Sequence, residues 1–527
     1  MNENFWLAAL QIFTPGNLFF LVFGGIAGIV VGCLPGLTAT MALALLVPFT
    51  FTMPAVTGLI MLGGLYVGAM FGDAIPATLI NTPGTPSAIA TTFDGYPLAK
   101  KGMAQQALIT NAVSSLFGGI FGTIALLTLS PPLAEMGLKF GPPEYFWMAI
   151  FGLTIIGALA SESILKGLTA GALGLLLSTV GISPIAGDVR FTFGAPSLQA
   201  GVDLTVALIG LFCIPQVLEM VEEGAKKYRV IQYQSQKGLF LQVVNYLIRK
   251  PFLMIRSALI GLIVGIMPGV GGNVAALLSY NEAVRWSKNK AEFGKGTIDG
   301  VAATETANCS VVQGSIIPML TLGIPGSPAA AVILGALLLH GMRPGPELFT
   351  KYGGTTYTFI LSFFVAVVVM FILTVLGSRF FAKMISVPLK HLLPLIAFLS
   401  IIGSYAIRNS LLDVAMMLLL GILAYFMQKL GLQSGPLVLG LIMGPFAEQG
   451  LVQSLLMGQA AGSVLKVMFG RPISLVLIGL SALSIAWPLI SAWRKRTILS
   501  EAGSQGRLFE EASDAAVETL MVEGEKV

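Results

Sequence analysis

Charge is what this sequence has least of. Only 10% of its 527 residues are Asp, Glu, Lys or Arg, against about a quarter in a soluble domain. That deficit, with 55% hydrophobic residues and a mean hydropathy of +0.86, excludes a water-soluble globular chain and places most of it in lipid. Cysteine and histidine are also scarce. Cys33, Cys213 and Cys309 stand alone in apolar segments, with neither a disulfide framework nor ligand spacing, and read as small buried hydrophobes. His340 and His391 share no motif with cysteines or carboxylates, so neither a metal site nor a cofactor is expected. No Ser–Lys or Ser–His pair and no His/Asp cluster marks a polytopic enzyme. The formal charge of +5 is spread over loops flanking apolar runs, which gives no footprint for nucleic acid. The first residues carry Glu3 and no Lys or Arg, unlike the basic start of a cleaved signal peptide. A short interfacial helix anchored by Phe5 and Trp6 is expected there.

Long apolar runs are abundant. They include 17–34, 55–71, 105–130, 145–160, 202–218, 252–267, 355–378, 411–427 and 472–493. A helix needs roughly 20 such residues to cross the hydrocarbon, so about 10–14 transmembrane or partial spans are expected. A β-barrel is excluded, because its strands would be short and alternate apolar with polar residues. The fold class is an all-α polytopic membrane protein. Trp487 and Trp493 followed by Arg494, Lys495 and Arg496 form an aromatic belt and then positive charge, which predicts a cytoplasmic end. The acidic tail beyond Glu501 is expected to be mobile.

The chain also repeats itself. "GDAIPATLINTPGTPSA" at 72–88 aligns without a gap on "GSIIPMLTLGIPGSPAA" at 314–330. Upstream, "GIVVGCLPGLTATMALAL" at 28–45 matches "GLIVGIMPGVGGNVAALL" at 261–278. Two blocks recurring in the same order predict two internal repeats. The division is an interfacial segment 1–16, a first membrane repeat 17–220, a linker 221–251, a second repeat 252–493 and a tail 494–527. Lys226, Lys227, Arg229, Lys237, Arg249 and Lys250 make the linker basic and therefore cytoplasmic. Hydropathy leaves open whether the repeats are parallel or inverted.

The repeated blocks break their helices. Unwound backbone in a bilayer leaves N–H and C=O groups unpaired, at several kcal/mol each unless protein, water or ligand satisfies them. Matched Gly/Pro interruptions therefore point to a transporter's binding site. Thr85-Pro86 and Ser327-Pro328 have the form of an N-cap followed by proline at the first helical position. Each would start a half-helix at mid-membrane, its free N–H groups and positive dipole end facing an anion. Thr38, Thr40 and Asn273, just after the upstream Pro-Gly pairs, are expected to open two more. No Lys or Arg falls within 26–99, 257–284 or 301–342. An anion there would rest on helix termini, hydroxyls and co-bound cations, and unwound carbonyls near Asn81–Thr82 and Gly323–Ile324 suit Na⁺. Coupled symport follows. The substrate- or ion-binding candidates are Asn81, Thr82, Gly84, Thr85, Ser87, Gly326, Ser327, Thr38, Thr40 and Asn273.

Ionisable groups at membrane depth default to a functional role. Asp73 precedes the first break, and Glu305 faces Asn308 at helical spacing. These three are the candidates for a coupling ion, Na⁺ or a proton. Glu162 and Lys166 read as a helix-end pair, Asp94 as the cap of a turn at the membrane surface, and Asp299 as a solvated loop acid.

At these residues the chain resembles the large membrane subunit of tripartite tricarboxylate transporters. "LPGLTATMALALLVPFTF", "NTPGTPSAIATTFDGYPLAKKG", "IMPGVGG" and "PMLTLGIPGSPAAAVILGAL" match that family's blocks, over about 20–490. The resemblance implies a secondary transporter of the bacterial inner membrane that imports citrate-like tricarboxylates or related organic acids on a cation gradient. It also implies a small four-helix membrane subunit and a periplasmic solute-binding protein as partners. Asn81, Thr82, Gly84, Thr85, Gly326 and Ser327 inherit the site role by motif position. The chain departs from the pattern at Asp73 and Ala74, where Gly and Ser are usual, and at Thr304, Cys309 and Gln313, which replace Pro, Asn and Gly. The alternatives are a standalone carboxylate/cation symporter of another family and an anion channel.

Overall fold

The computed structural model describes residues 2–486 except 160–162, 184, 225–229, 232–237, 270, 386 and 388. Trp487, Trp493, the basic triplet 494–496, Glu162 and most of the linker's basic residues lie outside the described residues. The chain is 80% helical, and a two-residue antiparallel pair (Gly181–Ile182 with Val189–Arg190) interrupts it. Among the described residues, seven helices are long and apolar enough to cross a membrane, and seven shorter apolar helices accompany them. The protein is a multi-pass helical membrane protein with broken helices.

Labelled in chain order, the helices that build the site are α1 (Pro15–Cys33), α2 (Ala39–Thr50), α3 (Ala55–Gly72), α4 (Ala74–Ile80), α5 (Thr92–Leu98), α6 (Ala104–Gly137) and α7 (Leu204–Glu223). They continue as α8 (Pro251–Ile266), α9 (Gly271–Trp286), α10 (Ile298–Leu322), α11 (Pro328–Leu339), α12 (Leu411–Lys429) and α13 (Ser434–Ala460).

Local chemistry explains where these helices stop. α1 ends as Leu34 turns extended before Pro35–Gly36, and Thr38 then caps α2 by accepting the Met41 N–H at 3.1 Å. α4 closes on Asn81 in the left-handed region (φ 58°), and α10 closes on Gly323 (φ 74°), whose N–H returns to the Met319 carbonyl. Both Pro-Gly stretches are therefore real interruptions.

Small residues set the packing. Gly24, Gly28 and Gly32 of α1 lie in one interface with Gly64, Gly68 and Gly72 of α3, the spacing that lets membrane helices approach backbone to backbone. A Cβ at Gly28 would lie 2.2 Å from the Leu65 carbonyl oxygen. At the aligned position Gly261 of α8, it would lie 2.3 Å from that of Ala307 in α10.

The centre of the protein is α3 and α10. The span Ala55–Ile80 is 89% buried in its most apolar window, and α10 is buried from Gly300 to Thr321. The two run antiparallel: Asp73 meets Asn308, and the Met70 carbonyl meets the Cys309 thiol. Two helices enclosed by other helices are free to carry polar groups, and α10 carries Thr304, Glu305, Thr306, Asn308, Ser310, Gln313 and Ser315.

Candidate functional site

Three helix N-termini converge on one cavity of about 640 Å³. α2 presents Thr38 to Thr40, α9 presents Gly271 to Val274, and α11 presents Ser327 to Ala329. Ser327 caps α11 through the Ala330 N–H at 3.1 Å and meets the Tyr66 hydroxyl of α3 at 3.0 Å. Thr85, Pro86 and Ser87 of the first break complete this wall. The cavity extends past Gln216 and Glu219 of α7 to Gln428, Gln433 and Ser434. At that end Glu222 accepts from Lys429 Nζ and the Tyr425 hydroxyl, both at 2.8 Å. No Lys or Arg is among the described lining residues. Each helix start carries roughly half a positive charge, so the side of the cavity built by α2, α9 and α11 offers N–H groups that suit an anion, while Glu219 places a carboxylate on the α7 side.

Behind the first break lies a second polar cluster, fully enclosed. Asp73 and Glu305 are both 0% exposed, and among the described residues neither has a Lys or Arg partner. Thr85 Oγ1 donates to Asp73 Oδ2 at 2.5 Å, and Asn308 Nδ2 lies 3.3 and 3.4 Å from the two Asp73 oxygens. Glu305 accepts from the Thr91 hydroxyl and from Ser115 Oγ at 3.4 Å. Both carboxylates are thus held by hydroxyls and an amide alone.

The profile of the tripartite tricarboxylate transporter TctA family matches residues 18–439. The chain belongs to this family. It is therefore the large membrane subunit of a tripartite tricarboxylate transporter, a family of transporters and not of enzymes. It is 37% identical over 506 residues to an uncharacterized 52.8 kDa protein in the TAR-I ttuC' 3' region of Agrobacterium vitis, covering 95% of this chain and 99% of that one. It is 35% identical over 236 residues to an uncharacterized protein in the TAR-II ttuC' 3' region of the same organism, covering 45% of this chain and 96% of that one. No solved structure matches the chain.

In this TctA-family subunit the expected site residues separate into three groups. Thr38, Thr40, Thr85, Ser87, Asn273 and Ser327 line the cavity. Gly84 and Gly326, candidates by motif position, do not line it. Neither has the other among its nearest neighbours: Gly84 is wedged against the Gly32 carbonyl oxygen and Gly326 against that of Gly265. They act as packing points that let each break fold back on its own half. Asn81 and Thr82 do not reach the cavity. They form the turn after α4, where Asn81 is exposed and Thr82 Oγ1 turns to the Ile80 carbonyl.

Other expectations are corrected by contacts between residues far apart in sequence. Thr85 does not cap a half-helix. Its hydroxyl is taken by Asp73, and only the single turn Pro86–Ala88 follows before α5 begins at Thr92. Asn273 lies within the first turn of α9, not before it. Asp94 caps no local turn. It accepts from the N–H groups of Gly296 at 2.7 Å and Thr297 at 3.1 Å, just before α10, and from the Tyr280 hydroxyl at 3.0 Å. Asp299 is paired with Lys250 Nζ at 2.7 Å and the Tyr246 hydroxyl at 2.8 Å. Sequence reasoning missed Tyr66, Gln216 and Gln433. For Tyr66 the signal was there, a lone phenol among the glycines of "GGLYVGAM".

Proposed function

We propose that this subunit is a cation-coupled secondary transporter that imports tricarboxylates or related organic acids across the bacterial inner membrane. It receives them from a periplasmic solute-binding protein and works beside a small four-helix membrane subunit. The observation that carries this reading is the convergence of three helix N-termini, at α2, α9 and α11, on one cavity whose described lining has no basic side chain. A carboxylate bound there is held by backbone N–H groups and by Thr38 and Ser327, which grip it without a fixed charge that would oppose release.

Coupling follows from the same arrangement. A multivalent anion without a basic counter-residue needs a co-transported cation, and Asp73, Glu305 and Asn308 are the residues that handle it, as Na⁺ or a proton. We read residues 28–88 and 261–330 as inverted structural repeats. In support, the Gly84 N–H bonds to the Asp73 carbonyl at 3.2 Å, and at the aligned positions the Gly326 N–H bonds to that of Ser315 at 3.1 Å. The central helices α3 and α10 run in opposite directions. Moving one unit against the other exposes the cavity to each side in turn. Its extension toward the end of α7, which runs into the basic linker, corresponds to an inward-facing state.

The test is reconstitution with the small subunit and the binding protein in proteoliposomes, followed by uptake of a panel of di- and tricarboxylates. Saturable uptake that needs a Na⁺ or proton gradient and the binding protein is expected. Uptake without the binding protein would indicate a standalone symporter, and unsaturable flux independent of any gradient would indicate a channel.

A further inference from the structure

The two breaks share their main-chain geometry, and the residue whose carbonyl each folds back onto is an acid in one and a serine in the other. The carbonyls of Asp73 and Ser315 receive the Gly84 and Gly326 N–H groups. Ser315 is neutral, and beside it Ser327 is free to cap α11. Asp73 carries a carboxylate, and it holds the hydroxyl of Thr85 at 2.5 Å. A threonine hydroxyl has a single proton to donate. While that proton is committed to Asp73, Thr85 cannot donate to a carboxylate in the cavity it lines, and the Asp73 charge itself repels one. A hydrogen bond to an ionised acceptor is about twice as strong as one between neutral groups, so Thr85 stays with the carboxylate it already meets at 2.5 Å as long as that carboxylate is charged.

A second observation points to a cation at this place. Asn308 Oδ1 is fully buried and has no hydrogen-bond partner, although its amide nitrogen reaches Asp73. This oxygen lies 3.2 Å from where a Cβ on Gly272 would stand, beside Ser87 Oγ at 2.6 Å from the same point. It points to the cavity wall at Gly272 and Ser87, on the amide whose nitrogen reaches Asp73. The other groups facing Asp73 are Glu305 and Cys309 of α10 and Cys33 of α1, none of which supplies positive charge.

We propose that Asp73, Thr85 and Asn308 form a site for a monovalent cation, and that filling it frees the Thr85 hydroxyl to donate to the substrate carboxylate, which makes Thr85 the residue that couples ion to anion. The inference rests on the transport reading and adds to it the contact through which coupling acts. A proton on Asp73 or Na⁺ against it has the same consequence, because either removes the charge that holds Thr85. The second break, built on Ser315, carries no such control.

The test uses the full chain in nanodiscs. ²²Na⁺ binding and proton uptake are measured between acidic and neutral pH without any organic acid, and citrate and succinate binding are then measured with and without the cation. Wild type is expected to bind one cation and to gain affinity for the acid when it does, within the ~5–150-fold range of allosteric coupling. Asp73→Asn is expected to lose the cation and to bind the acid equally with and without it. Thr85→Val is expected to weaken acid binding when the cation is present while leaving the cation-free affinity unchanged, and Thr85→Ser to restore the wild-type response. Cation binding by Asp73→Asn equal to that of wild type overturns the proposal whichever acid is used, as does an unchanged cation dependence of acid binding in that variant. Loss of the cation in Asp73→Asn, with no organic acid transported by wild type, would keep the ion site and sink the transport reading instead.

Discussion

Replacing Gly326 with alanine tests whether the second break must fold back against α8. The added Cβ would lie 2.0 Å from the Gly265 carbonyl oxygen and 2.7 Å from the Ser315 Cα. Real Cβ atoms keep at least about 3.0 Å from such neighbours, so the break or α8 must move by about 1 Å. Both obstacles are backbone, and no rotamer change relieves them. Overpacking of this kind destabilises by ~1–3 kcal/mol. The displacement also pulls on two bonds that fix the break, from the Gly326 N–H to the Ser315 carbonyl and from the Gly269 N–H to the Gly326 carbonyl, both 3.1 Å. Ser327, the next residue, then loses its place at the cavity wall. Because ~1.4 kcal/mol is a factor of ten in binding, uptake normalised to inserted protein should fall at least about fivefold. The melting temperature in detergent should fall with it. Gly16→Ala is the control, since a Cβ there meets nothing within 4 Å. It should leave both readings unchanged. Wild-type uptake and melting in Gly326→Ala would refute the argument that this break is held by close backbone contact.

Other outcomes follow from single contacts. Ser327→Ala removes the cap of α11 and the partner of Tyr66, at about 1 kcal/mol for the cap, and should raise the half-saturating concentration of the transported acid several-fold while the protein still inserts. Asp94→Ala strips the acceptor from the Gly296 and Thr297 N–H groups and from Tyr280, and should lower the melting temperature and speed hydrogen exchange at the start of α10. Arg408 holds Asp413 through two nitrogens at 2.6 and 2.9 Å, with the Asp413 side chain only 2% exposed. Arg408→Ala strands that carboxylate and should destabilise the fold by ~3–5 kcal/mol, read as lost yield or melting temperature, whereas removing both partners together should be milder.

Much of this architecture was legible in the sequence because Gly and Pro act through local geometry. Pro35–Gly36, Pro83–Gly84, Pro268–Gly269 and Pro325–Gly326 stop helices wherever they occur, and Ser327 before Pro328 announces its own cap. What was not legible depends on partners far away in the chain. α10 does not read as a span, because Thr304 through Ser315 depress its hydropathy. It lies at the centre because α6, α3 and α8 surround it. Thr85 has the same local signal as Ser327, yet Asp73, twelve residues earlier, takes its hydroxyl. Asp94 looks like a turn cap and instead serves a loop some 200 residues on. Asn81 and Thr82 share the signature block, but the left-handed turn at Asn81 carries them away from the cavity.

The central claim is that an organic anion is held by helix N-termini and not by basic side chains. A structure of the subunit with a transported acid bound tests it most directly. The account predicts carboxylate oxygens within hydrogen-bonding distance of first-turn N–H groups of α2, α9 and α11, with the Thr38 and Ser327 hydroxyls beside them. An acid seated instead against an arginine or lysine, for example at Arg343 in the separate cavity it lines with Phe446 and Gln449, would contradict it.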